Sequence, residues 1–314
     1  MVVERDESVE SAESEHRAGF VAVIGRPNVG KSTLVNSLVG KKIVITSHHP
    51  NTTRNPIRGI VSKPDYQMIL VDTPGVHKPK TLLGARLNAM VSENLESVDA
   101  ALICLPVDEA IGAGDEFIVK QLGHVRNIFI AVTKVDKANK SDVLIAKLVE
   151  VSAFIERLNI SVREVVPVSA KREEQTELLM ELLSKALPVS PSLYPEDIST
   201  DQATELTITE LIREAAIEDL YEELPHSVMI TIDEYAKREG KNFFDIHATL
   251  HVERDSQKSI IIGPQGSRLK AIGTTARGSI ENFLGGKIFL GLHVKVSKEW
   301  QRDPKALARL GFTE

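Results

Sequence analysis

The run Gly25-Arg26-Pro27-Asn28-Val29-Gly30-Lys31-Ser32 constrains this chain more than any other. An apolar, β-favouring stretch, Phe20-Val21-Ala22-Val23-Ile24, precedes it, and a helix-like segment, Thr33-Leu34-Val35-Asn36-Ser37-Leu38-Val39, comes after it. Strand, glycine loop, helix is the setting that makes G-x-x-x-x-G-K-[ST] a phosphate-binding loop rather than a plain glycine turn. Backbone N–H groups of such a loop, with the N-terminus of the helix, favour an anion. Gly25 and Gly30 permit backbone conformations and a close approach that a Cβ would block. Lys31 can reach β- and γ-phosphates, and the Ser32 hydroxyl can ligate Mg²⁺. Asn28, Val29 and Thr33 complete the expected phosphate-binding set.

A chain of 314 residues predicts two domains. Its formal net charge of −6 does not advertise nucleic-acid binding, so local charge has to be weighed instead. The single cysteine, Cys104, lies in the apolar run Ala100-Ala101-Leu102-Ile103-Cys104-Leu105. That excludes an intramolecular disulfide framework, reads as a buried strand residue and fits a reducing cytosol. No apolar run approaches the ~20 residues of a membrane span, and the first residues lack a signal-peptide core. Residues 1–17 are acidic and serine-rich, which predicts a disordered tail.

Residues 18–188 alternate apolar strands with helical patterns. This predicts an α/β fold, a doubly wound and mostly parallel sheet with helices on both faces. Strands are expected at 20–24, 59–61, 68–72, 100–105, 128–133 and 165–168. Helices are expected near 31–39, 82–96, 116–122, 141–157 and 175–187. Such sheets bind ligands at the carboxyl ends of their strands, and the remaining motifs fall there. Asp72-Thr73-Pro74-Gly75 comes directly after a strand. Asp72 can hold a water on Mg²⁺. The Gly75 N–H can meet a γ-phosphate, so the segment beyond Gly75 can change shape when that phosphate leaves. Alone the pattern is equally an Asp-Pro-Gly turn; after a strand and a phosphate-binding loop it gains weight. Between the two motifs, His48-His49-Pro50-Asn51-Thr52-Thr53-Arg54 offers a threonine for the Mg²⁺ shell or a plain surface loop. The two histidines lack a suitably spaced carboxylate and read as exposed loop residues. Thr133-Lys134-Val135-Asp136 lies at the end of the fifth strand. Asp136 can accept from guanine N1–H and N2–H₂, a donor pair that adenine lacks, and the Lys134 stem can lie along the base. In Ser169-Ala170-Lys171 a backbone N–H can donate to guanine O6.

Pro188, Pro191 and Pro195 mark a linker, 189–203, before a second domain at 204–314. Residues 204–223 predict an amphipathic helix, with Leu206, Ile208, Leu211, Ile212, Ala215 and Leu220 inward. Glu210, Glu214, Glu218 and Asp219 form its solvated face. Strand-like runs come next at 227–235 and 243–253, then the β-branched run Ser259-Ile260-Ile261-Ile262 and the loop Gly263-Pro264-Gln265-Gly266. Helices at 267–272 and 276–284 and a strand at 287–296 complete the pattern. A G-x-x-G loop lets a nucleic-acid backbone approach unobstructed, as in KH domains. Here helix, strand, strand, loop, helices, strand is the order of a type II KH module, a small α+β fold. Gly263, Pro264, Gln265, Gly266, Arg268 and Lys270 are the expected RNA contacts. Lys258, Arg277, Lys287, Lys295, Lys298, Arg302, Lys305 and Arg309 add positive charge, against only Glu281, Glu299 and Asp303 between residues 258 and 309. Trp300 reads either as a base-stacking residue or as a packing anchor.

Residues 18–188 resemble a translation-factor-type GTPase domain. With the linker and the KH module, residues 18–312 resemble the bacterial Era family. The resemblance rests on Pro50-Asn51-Thr52-Thr53-Arg54, on Asp72-Thr73-Pro74-Gly75-Val76-His77-Lys78-Pro79, and on Ile262-Gly263-Pro264-Gln265-Gly266-Ser267-Arg268-Leu269-Lys270-Ala271-Ile272-Gly273. It implies that Thr53, rather than Thr52, ligates Mg²⁺ beside Ser32. It implies a monomeric cytoplasmic GTPase, cycling between GTP and GDP, that binds small-subunit (16S) ribosomal RNA near its 3′ end. Such a protein assists assembly of the 30S subunit and can associate peripherally with the inner membrane. Two departures stand out. Thr133 occupies the position where the guanine motif usually begins with Asn, which puts the grip on the base in question. Val76 replaces the water-orienting Gln of Ras-like proteins. Catalysis then falls to Lys31, Thr53, Gly75, Mg²⁺ and backbone groups, with a potassium ion or a partner as candidate assistance. Slow intrinsic turnover is the consequence, ~10⁻⁴ to 10⁻² s⁻¹ by analogy with unassisted GTPases. Two rival readings are an RNA-dependent ATPase, opposed by Asp136 and the lack of a second motor domain, and an RNA-binding scaffold with a degenerate nucleotide site.

Overall fold

The computed structural model describes residues 15–46, 57–74, 82–95, 97–123, 125–138, 140–218, 220 and 227–309. The expected site residues Thr53 and Gly75, with His48 and His49, lie outside the described residues.

The first unit is a sheet of β1 (Arg17–Ile24), β2 (Ile57–Ser62), β3 (Tyr66–Asp72), β4 (Ala100–Pro106), β5 (Ile128–Thr133) and β6 (Glu164–Pro167). Their order is β2-β3-β1-β4-β5-β6, with only β2 antiparallel to its neighbour. Every residue of β3, β4 and β5 is buried. Strands covered on both faces carry unbroken apolar runs rather than alternation, which is why these segments read so clearly. On one face α1 (Lys31–Val39) and α5 (Thr176–Ser184) set Leu34, Val35, Leu38, Leu179 and Leu183 against Val21, Val23, Leu70 and Leu102. On the other, α2 (Leu82–Leu95), α3 (Ala113–Lys120) and α4 (Ser141–Leu158) bring Val91, Ile118 and Phe154 to Ile24, Ile103 and Ile130. Cys104 is buried within β4, where desolvation pushes its thiol up to about 12. Strand β1 begins at Arg17, inside the stretch expected to be tail, because Arg17 pairs with Tyr66 and its guanidinium donates to the Leu187 carbonyl.

The second unit is a three-stranded sheet, β7 (Met229–Lys237), β8 (Phe243–Val252) and β9 (Lys287–Val296), in the order β7-β8-β9. Strand β7 is antiparallel to β8, and β9 is parallel to it. One face is covered by α6 (Thr204–Ile217) and α8 (Ser267–Leu284), with α7 (Asp255–Ile262) beside them. A short helix, α9 (Pro304–Arg309), ends the described chain.

The structure assigns one run that the sequence left open, and changes two expectations. The isoleucine run 259–262 closes a helix. Gln257 accepts from the N–H groups of Glu253 and Arg254, starting α7, and burial of Ile261 outweighs the weak β-branched disfavour for helix. The helices expected at 267–272 and 276–284 are one continuous α8, since a single glycine, Gly273, costs a helix only about 1 kcal/mol against Ala, too little to break it. The polar face of α6 is not simply solvated. Glu210 and Arg213 are buried and paired with each other, and Glu214 reaches Thr46 and Lys42 of the first unit.

The linker is pinned rather than loose. Ile60 N–H donates to the Ser199 carbonyl at 2.9 Å, and Arg58 pairs with Asp201 at 2.8 Å. Gln67 exchanges side-chain hydrogen bonds with Leu193 and Tyr194. The linker thereby covers the exposed edge of β2.

Candidate functional site

The strand-to-helix turn after β1 shows why its glycines are needed. At Gly25, with φ +155°, a Cβ would lie 2.8 Å from Val29 Cγ2 and 2.9 Å from the Cys104 carbonyl. Lys31 is buried, and its ammonium donates to the carbonyls of Gly25 and Arg26 at 3.1 and 3.0 Å. Burial holds its pKa below the ordinary lysine value, while the Asp72 carboxylate works the other way. A buried cation in a cradle of backbone groups suits an incoming polyphosphate.

A cavity of about 770 Å³ opens over this loop. Asn28, Gly30, Lys31, Ser32, Thr33, Thr133, Lys134, Asp136, Ala170 and Lys171 line it. The other expected nucleotide residues with described positions support those that do. Gly25 accepts from Lys31. Val29 accepts from the Thr133 hydroxyl at 2.6 Å. Asp72 accepts from the Ser32 hydroxyl at 2.9 Å. Buried Ser169 donates to the Asp136 carboxylate at 2.7 Å and itself accepts from Arg172 N–H.

The Ser32 hydroxyl and the Asp72 carboxylate form a pair of hard oxygen donors beside Lys31, the set that Mg²⁺ takes up together with phosphate oxygens and water. The described residues contain no group of three or more His, Cys, Asp or Glu placed to hold a metal ion. Among the described residues, Ser32 and Asp72 are the groups that could hold such an ion together with the ligand's own phosphates.

Several residues at the site carry no local signature in the sequence. Arg26, inside the phosphate-binding loop, is fixed by buried Asp115 at 2.9 Å and by Glu109 at 3.3 Å. Lys42 and Thr46, just after α1, also line the cavity. So do Leu211, Glu214 and Ala215 of α6, Glu218 just after it, and Thr275 and Ser279 of α8. Glu214 accepts from the Thr46 N–H at 3.0 Å and pairs with Lys42 at 2.6 Å. Sequence patterns assigned α6 and α8 to another domain, and nothing local announces that the two domains meet over one cavity.

The G-x-x-G loop stands at the start of α8. Gly263 has φ +71°, and a Cβ there would lie 2.8 Å from Arg268 Cβ. Gly266 has φ +76° and faces open space, so the backbone is accessible. Pro264, Gln265 and Lys270 are exposed, and Arg268 is half-buried. Trp300 is no stacking platform: it is fully buried, and its indole N–H donates to the Ser227 carbonyl at 3.0 Å.

Comparison with known proteins agrees with both halves. Residues 20–134 match the family described as 50S ribosome-binding GTPase, and residues 223–301 match the KH domain family. GTPase Era of Mycobacterium tuberculosis is 52% identical over 304 residues, covering 95% of this chain and all of its own length. GTPase Era of Streptomyces coelicolor is 50% identical over 318 residues, covering 99% of this chain and all of its own. This chain belongs to the Era family of GTPases. A crystal structure of Era with MgGDPNP and nucleotides 1506–1542 of 16S ribosomal RNA matches with a TM-score of 0.90 at 33% identity, over 95% of this chain and all of that one. A structure of an Aquifex aeolicus Era variant bound to GDP·AlF4⁻ matches with a TM-score of 0.88, also at 33% identity and with the same coverage.

Proposed function

We propose that this protein is a GTP-hydrolysing switch whose KH module binds small-subunit ribosomal RNA near its 3′ end and which assists assembly of the 30S subunit. The observation that carries the reading is the cavity where Lys31 and Asp136 meet. A phosphate cradle lies at one end, and a carboxylate that distinguishes guanine from adenine lies at the other. Lys31 and the loop's N–H groups stabilise negative charge on the β- and γ-phosphates as it develops. Ser32 and Thr53, with Asp72 through a water, would hold Mg²⁺, which would supply Lewis-acid neutralisation of the phosphates. No side chain is assigned as general base; Val76 stands where Ras-like proteins carry Gln. The Gly263–Gly266 backbone, flanked by Arg268 and Lys270, is the RNA clamp. The location proposed is the cytoplasm, as a monomer, with peripheral attachment to the inner membrane as the Era resemblance implies. No described helix is long and apolar enough to cross a membrane.

Calorimetric titration with GTP, GDP and ATP tests the site. Guanine nucleotides should bind and ATP should not, and Asp136→Asn should erase the difference. Gly266→Asp adds charge and backbone strain at the clamp. It should weaken binding of a 16S 3′-terminal oligonucleotide about tenfold or more and leave GTP affinity unchanged. Equal affinity for ATP and GTP in the wild type would instead favour an RNA-binding scaffold with a degenerate nucleotide site.

A further inference from the structure

We infer that this protein holds guanine without reading N7 of the base, and that Thr133 decides this. The inference rests on the guanine-site reading above. Guanine offers its surroundings the N1–H and N2–H₂ donors and the O6 and N7 acceptors. Asp136, an acceptor only, serves the donors. Backbone N–H groups at 169–171 can serve O6. N7 needs a donor of its own.

Thr133 ends β5 and reaches the cavity wall while 3% exposed. Its hydroxyl carries one proton. That proton is committed to the Val29 carbonyl, 2.6 Å away in the phosphate-binding loop. The oxygen's remaining capacity is to accept, and N7 of neutral guanine also only accepts, so the two cannot pair. Lys134, the next residue, has its ammonium 3.6 Å from Glu109 and 3.9 Å from Asp108, held by the loop after β4. Thr133 is thus a strut. It ties the base-reading end of β5 to the phosphate-reading loop and contributes nothing to the N7 edge. An asparagine at this position brings two amide protons. One can keep the strut to Val29, and the second can reach N7.

The test compares GDP with 7-deaza-GDP, in which N7 is a C–H group, by calorimetric titration in Mg²⁺ buffer. Wild type should bind the two within about twofold of each other. Thr133→Asn should gain about five- to tenfold for GDP, the usual worth of one hydrogen bond, and leave 7-deaza-GDP at its wild-type affinity. Thr133→Val removes the strut at nearly constant shape and should weaken both nucleotides by the same factor. If Thr133→Asn does not fold, the wild-type ratio alone decides. A wild type that prefers GDP by more than about fivefold overturns the inference while leaving the guanine site standing. A wild type that binds neither nucleotide overturns the site assignment as well.

Discussion

Ser169 does not line the cavity, yet its hydroxyl fixes the carboxylate that does. Ser169→Ala would strip Asp136 of a donor in a part-buried setting. A hydrogen bond to a charged group contributes about 1.5–3 kcal/mol, so guanine-nucleotide affinity should fall roughly tenfold, with the circular dichroism spectrum unchanged. Unaltered GDP affinity by titration would mean that the backbone of the turn at Val135–Lys137 sets the carboxylate by itself. Much of the site is legible in the sequence at this scale, because phosphate and guanine each demand particular groups just after particular strands. Lys31, Ser32, Asp136 and Ala170, from three separate motifs, line one cavity. The division of labour is less legible. Motif spacing cannot tell Asp136, which faces the cavity, from Ser169, which stands behind it, nor Asn28 from Val29, whose carbonyl is a strut for Thr133. Those roles depend on which way a side chain points at a strand end.

Helix α6 shows why element-level pattern runs out. Its apolar stripe is plain, and Ile208 and Ile212 sit in the second domain's core as the periodicity demands. Its acidic face reads as solvated because charged residues usually are. The structure turns that face toward the first domain. There Glu214 grips Thr46 and Lys42, and Ile45 packs into the second domain's core. Residues 47–56, which contain Thr53, begin immediately after Thr46. Helix α6 therefore holds one end of the segment expected to sense the triphosphate, while it also walls the cavity over the phosphate-binding loop. Glu214→Ala should release both. Stability should change by only about 1 kcal/mol or less, since Lys42 is half-exposed and such pairs are screened. Release of a fluorescent GDP should speed up several-fold, measured by stopped-flow chase with unlabelled nucleotide. An unchanged release rate would show that the wall formed by α6 does not limit nucleotide exit.

At the scale of the whole molecule, the two domains share a second contact on the other side of the phosphate-sensing motifs. Helix α2 starts shortly after Asp72-Thr73-Pro74-Gly75, and its Leu83 and Leu87 are buried with Met229, Trp300 and Leu307 of the second domain. Leu83 N–H also donates to the Gln301 carbonyl at 3.3 Å. The RNA-binding module is thus docked onto the chain just before residue 47 and just after residue 81. These are the flanks of the two segments that a γ-phosphate is expected to order. Any rearrangement there moves a helix or loop to which the module is attached, so RNA affinity should depend on which nucleotide is bound. A ligand shifts such an equilibrium only through different affinity for its two states, and the coupling is reciprocal. RNA that binds tighter with GDPNP than with GDP must raise GDPNP affinity relative to GDP affinity by the same factor, typically 5- to 150-fold, or about 1–3 kcal/mol. Leu87→Ala leaves a cavity in the shared cluster without touching either site. It should pull the two RNA affinities together while each nucleotide still binds. Trp300, the chain's one tryptophan, sits in that cluster, so its emission reports whether the contact has opened. Equal RNA affinity with GDPNP and with GDP in the wild type would mean that the docked contacts transmit nothing and that the two domains work side by side.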